Sequence, residues 1–406
     1  MAMRIRLMTL AALLLVSACG RITDAAPAGN YRLYEAAARP GGPIVALIDT
    51  RTQAAQDRLP IGTPSPDWRH YYTVSQGYLL DINPETGATQ ARVTMPGVYA
   101  LPPATNSGIP GGMSPNGDWL VLQTFDQALG QLPIKSHFIV FDTAFTQPPR
   151  AIDLGGYFQF DAISNDGERV FLIEYINGTD YHVRVYDMNA GALNPNFVVD
   201  KEEGGDAMAG LKLSGVASHD GQWLFSVYAR PNKGAFIHAL HMDGAFALCL
   251  DLPDTGKGFA AGDNSSLAWS LALSPDGATL YASNPAMGVV TVISAVSPSQ
   301  GRTFHVGEPS HGWPAGAVVS ADNRTLVVPG ASGVVWLDTS TLTQKRHALD
   351  SWTVRGLALS PDGATLYAVN DAGAVAELSM AGGSVTTTFD PNIAHPIALM
   401  RVEARA

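Results

Sequence analysis

The chain is poor in cysteine and poor in charge. Of 406 residues, two are Cys and 15% are charged, with a net charge of −11. Cys19 falls in the leader described below, which leaves Cys249 alone. One thiol makes no intramolecular disulfide, so no disulfide scaffold is available. Cys249 stands in the alternating apolar run "FALCLDL", where a buried structural thiol is expected. Lys and Arg form no long run. The widest basic cluster, Lys345-Arg346-His347, is too small for a nucleic-acid footprint. An acidic, sparsely charged surface also gives no electrostatic attraction to anionic lipid headgroups. HExxH, GxSxG, P-loop and CxxC patterns are all absent. Past the first twenty residues, no apolar run is long enough to span a bilayer.

Those first twenty residues differ from the rest. Arg4 and Arg6 precede an apolar run from Leu7 to Val16. The run is shorter than the roughly 20 residues of a spanning helix. It reads as a secretory signal. It closes on Val16-Ser17-Ala18-Cys19-Gly20, which resembles a bacterial lipobox. The resemblance implies a signal peptide over 1–18, lipidation of the Cys19 thiol, and a tether over 19–29. The alternative is an ordinary signal peptide with an incidental Cys. Acyl chains on Cys19 would make the membrane a partner. The implied location is that of an exported bacterial lipoprotein, on the outer surface of the cell membrane or at the outer membrane and periplasm.

What the chain does have is turns. It contains 41 Gly and 27 Pro without a collagen-like period. The stretch "LALSPDGATLYA" occurs twice, at 271–282 and 357–368. Its Ser-Pro-Asp-Gly centre is a type I turn signal, flanked on both sides by apolar alternation. Degraded copies begin at Ser65, Ser114, Ser164, Ser218 and Ser320, so the seven turns stand 40 to 56 residues apart. Each is followed by a strand, and then by a second strand that often closes on Asp, as in "FIVFDT", "VRVYDM" and "VVWLDT". Four strands per repeat at this period predict a single all-β domain over 30–403, a β-propeller of four-stranded blades.

Seven turns allow seven or eight blades. The segment 31–52 reads as the second and third strands of a unit without its turn, and "HPIALMRV" at 395–402 reads as a first strand with none after it. Joined, the two ends make a composite eighth blade, and eight is the favoured count. Against it, Leu59 and Pro64 stand only five positions apart, which leaves no room for a full strand before the first turn.

The units "SPDGATLYASNPAMGVVTVIS" and "SPDGATLYAVNDAGAVAEL" resemble the repeat of YVTN-type secreted propellers, which include lactonase-like enzymes, surface proteins and lipoproteins. The resemblance extends over most of 30–402 and is strongest in the last third. It speaks to fold far more than to function.

In this architecture the Ser-Pro-Asp-Gly turns lie on one face. The opposite face carries the irregular loops, and its central funnel is the default ligand site. Ligand-binding candidates there are Trp269, His311, Trp313, Trp352, Arg355, His395 and Arg230. The Trp residues could equally be packing wedges between blades, and the His residues hydrogen-bonded loop positions. The acidic link 200–206, "DKEEGGD", lacks the alternate-position spacing of a Ca²⁺ loop. His238 and His241 face opposite sides of a strand and cannot chelate one ion. Neither a metal nor a cofactor is expected.

Two functions remain open. One is a membrane-tethered, non-enzymatic propeller that binds a protein, peptide or glycan on its loop face. The other is a lactonase-like hydrolase, with His311 or His395 as base and Arg355 steadying an anionic oxygen.

Overall fold

The computed structural model describes residues 29–198, 208–310 and 313–405. Cys19, the acidic link at 200–206 and His311 lie outside the described residues.

Eight antiparallel sheets form an eight-bladed β-propeller. Blade 1 is the composite one. The C-terminal strand Pro396–Ala404 is innermost, followed outward by Tyr31–Ala37, Ile44–Asp49 and Ala54–Pro60. The two chain ends meet where a turn would otherwise stand, and Arg405 N–H donates to Asn30 O at 2.9 Å. The strand that the sequence leaves no room for in blade 2 is present, but only as Thr63–Pro64. In blade 3, two isolated bridges take the innermost place, Ala100 to Gln123 and Met113 to Leu120. Blades 4 to 8 have innermost strands Tyr157–Ile163, Leu211–Ala217, Ser270–Leu273, Val318–Val319 and Val354–Leu359.

The core is distributed around the ring. Eight apolar clusters each join residues of two neighbouring blades. No blade could bury both of its faces alone, so the repeats depend on one another for their cores.

The Ser turns share one construction. In each, the Ser hydroxyl donates to the Asp or Asn two residues on, as from Ser274 to Asp276 at 2.6 Å. The same Ser Oγ accepts the N–H five residues on, from Thr279 at 2.9 Å. Neighbouring turns also touch, as where Asn116 N–H donates to Asn165 Oδ1 at 2.9 Å. At Gly277, with φ +72°, an added Cβ would stand 2.9 Å from His219 of the adjacent turn. The repeated twelve-mer is therefore a building element of the turn face.

Candidate functional site

The funnel mouth on the loop face is not open. The link between blades 2 and 3 folds into a small hairpin, bridged at Ala104 and Pro110. Its Asn106 N–H donates to Leu213 O of blade 5 at 2.8 Å. Gly108, with φ +75°, packs so tightly on blade 1 that a Cβ there would lie 2.7 Å from Ala36 Cβ. Blades 1 and 5 are opposite in an eight-membered ring, so the hairpin lies across the channel. Thr63 Oγ1 of blade 2 donates to Pro110 O and Gly111 O at 3.1 and 3.0 Å, anchoring its base. The default funnel site is thus filled, at this face, by the chain itself.

Bulges in the innermost strands re-aim single residues. Asp161 is the extra residue of blade 4, Leu213 of blade 5 and Arg355 of blade 8. Asp161 meets Lys212 of blade 5, with Nζ 2.6 Å from Oδ1, and accepts from Tyr228 OH at 3.2 Å. Burial alone would raise the Asp161 pKa, but the Lys212 charge, with His238 and these hydrogen bonds, holds it below the usual carboxylate value. Around this pair runs an aromatic file: Tyr157 stacks on Tyr175 at 4.7 Å, and Tyr181 lies 5.7 Å from Tyr228.

Of the candidates read from sequence, Arg355 and Trp313 come together. The Arg355 guanidinium carbon lies 4.3 Å from the Trp313 ring centroid, although the two residues belong to different repeats. Trp352 sits on the neighbouring link, partly buried against the core between blades 7 and 8. His395 is exposed on the link from blade 8 to blade 1, and its carbonyl accepts the Ala38 N–H at 2.9 Å. Arg230 is remote from these, at the second-to-third loop of blade 5. It pairs with Asp251 and lies over Phe236. Trp269 has no exposed surface and sits in the core between blades 5 and 6. It is a packing wedge, and a ligand at the surface cannot reach it.

The loop face also carries exposed apolar side chains that the sequence reading did not single out. Leu129, Leu132 and Ile134 stand on one loop of blade 3, Ile176 on the corresponding loop of blade 4, and Leu211 at the start of blade 5. Each is more than 49% exposed. Single exposed apolar residues are ordinary; here several stand on adjacent loops of one face.

No family model matches the chain, and no curated protein matches it in sequence. Solved structures do match in fold. A dihydro-heme d1 dehydrogenase, NirN, in complex with DHE has TM-score 0.55 at 14% identity, over 93% of this chain and 75% of that one. AztD from Citrobacter koseri has TM-score 0.54 at 10% identity, over 93% and 99%. The periplasmic gluconolactonase PpgL of Pseudomonas aeruginosa has TM-score 0.44 at 16% identity, over 93% and 99%. Identities this low speak to the propeller fold alone.

Among the described residues, His70 pairs with Asp81, His137 with Asp126 and Asp153, and His347 with Asp350, and the charge of His238 acts on the buried Asp161. The paired groups lie on second to fourth strands or beside them, with Asp350 on the link that carries Trp352. Asp153, by its hydrogen bond, raises the His137 pKa.

Proposed function

We propose that the protein is an extracytoplasmic β-propeller, similar to the YVTN-type lipoproteins, that is tethered through Cys19 and binds a protein or peptide on its loop face. The observation that carries this reading is the exposed apolar group on adjacent loops, Leu129, Leu132, Ile134 and Ile176, beside a channel mouth already filled by the 104–110 hairpin. Partner binding buries such side chains at about 25 cal/mol per Å². A small-molecule hydrolase needs a reachable pocket holding a base and its orienting group. Hydrolysis at the mouth is the alternative reading.

The described chain begins and ends at the turn-face end of blade 1, near Tyr31 and Ala404; a tether through Cys19 is part of the proposal.

The test is comparative. In Leu132→Asp/Ile176→Asp, partners that co-purify with the parent protein should be lost. In a turn-face control, Asp276→Lys, they should stay. Retention in the first variant overturns the assignment.

A further inference from the structure

We infer that Arg355 and Trp313 form a receptor for a single carboxylate, which anchors the partner at the rim of the channel mouth. This inference rests on the loop-face binding reading and adds the chemistry of one contact.

The argument begins with the backbone. Val354 pairs with Asn370 and Gly356 with Val369, so Arg355 is left over as the bulge residue of the innermost strand. A bulge turns a side chain out of the sheet's alternation. Here it does so at the loop-face end of blade 8. Ordinary strand geometry would have sent position 355 into one of the apolar gaps between blades, where a guanidinium has no place.

Next comes pairing. Arg32, Arg184, Arg230, Arg401 and Arg405 are partly buried, and each has a carboxylate within 4.0 Å. Arg355 is also partly buried and, like Arg150 and Arg169, has no carboxylate within that distance among the described residues. Its Nε is buried and without a hydrogen-bond partner. The acid that acts on it, Asp371, does so only at longer range and more weakly than burial, and the pKa of the guanidinium falls. A buried donor left without an acceptor is costly. A bound anion would relieve that cost.

Trp313 defines what remains available. It covers one face of the guanidinium and is itself 53% exposed. A cation over an indole face is held there electrostatically. The contact also fixes the plane of the fork, so its edge is presented ready for a ligand. The planar edge of a guanidinium matches the two oxygens of a carboxylate. A phosphate fits less well. It carries nearly two charges, and the charged group that acts on Arg355 among the described residues is the acidic Asp371. A C-terminal carboxylate and an acidic side chain share the required chemistry.

The experiment uses the full chain with its leader removed and follows the indole N–H resonance of Trp313, assigned by its loss in Trp313→Phe. The probes are three blocked tripeptides: acetyl-Gly-Ala-Leu with a free carboxylate, the same peptide amidated, and amidated acetyl-Gly-Glu-Leu. Inorganic phosphate is the fourth. A saturable shift with the first or third peptide, at least tenfold weaker with the amidated control and with phosphate, is the expected result. Which of the two carboxylate peptides binds more tightly identifies the source. Arg355→Gln should abolish the shift, and Arg355→Lys should weaken it about tenfold, because an ammonium lacks the fork. Trp313→Phe, read instead at the Arg355 Nε–H, should weaken binding while keeping the fold. Equal binding of the amidated peptide, tighter binding of phosphate, or an unchanged shift in Arg355→Gln each overturns the inference. The two proposals fail separately. A carboxylate effect with partner binding intact in Leu132→Asp/Ile176→Asp removes only the loop-face assignment. The reverse pattern removes only the anchor.

Discussion

Lys212 Nζ stands 2.6 Å from Asp161 Oδ1, and the two ends of this bond are unequally sheltered: the Lys side chain is 26% exposed and the Asp side chain 2%. The pair joins blade 4 to blade 5 beside the hairpin that fills the channel mouth.

That inequality predicts an asymmetric response. Lys212→Met leaves a buried carboxylate without its cation and should cost about 3–5 kcal/mol at pH 7. Asp161→Asn leaves an ammonium that can swing to water and keeps an acceptor for Tyr228, so it should cost less, about 1–2 kcal/mol. The pKa of Asp161 is lowered in the folded protein, so its contribution is present above the unfolded value of about 3.9 and is lost as pH falls through the folded value. The gap between parent and Lys212→Met should therefore shrink on acidification. Urea unfolding at pH 7 and at about pH 3, below the unfolded value, measures it. Equal penalties for the two variants would contradict the account.

Glu35 behaves in the opposite sense. It has no exposed surface, neither carboxyl oxygen has a hydrogen-bond partner among the described residues, and burial raises its pKa to about 8. The folded state holds this proton between the unfolded value of about 4.3 and about 8, while the unfolded chain releases it. Stability from this group therefore falls as pH rises across that window. Glu35→Met, which removes the group at similar volume, should be more stable than the parent by roughly 1–3 kcal/mol at pH 8. The gain should fade towards pH 4. A variant less stable at pH 8 would mean that Glu35 has a role this structure does not reveal.

The ring itself was legible in the sequence because its blade-building signals are local. The seven Ser turns at 65, 114, 164, 218, 274, 320 and 360 all form as turns of one type. The composite blade followed from two unpaired ends. What stayed hidden depends on contacts between repeats. Asp161 and Lys212 are 51 residues apart, and nothing near either one announces the other. The hairpin at 104–110 has no strong alternation and reads as an ordinary loop. Trp269 and Arg355 occupy similar places before the two copies of the twelve-mer. One turns into the core and the other, through a bulge, does not. Register irregularities of this kind leave no pattern in composition.

Lipidation at Cys19 is tested by fractionation and intact mass. The parent should appear in the membrane fraction with acyl chains on the mature chain, and Cys19→Ala should lose both. A parent that is soluble and cleaved elsewhere would remove the tether, though not the loop-face reading.

The central claim is that the loop face, rather than the channel or the turn face, meets a partner. Photo-crosslinking amino acids placed one at a time at Leu132, Ile176 and Trp313, and on the turn face at Asp276 and Asp322, test it most directly in intact cells. The account predicts one common crosslinked partner from the three loop-face positions and none from the two turn-face positions. The same partner captured from Asp276 and Asp322, with the loop-face positions silent, would contradict it.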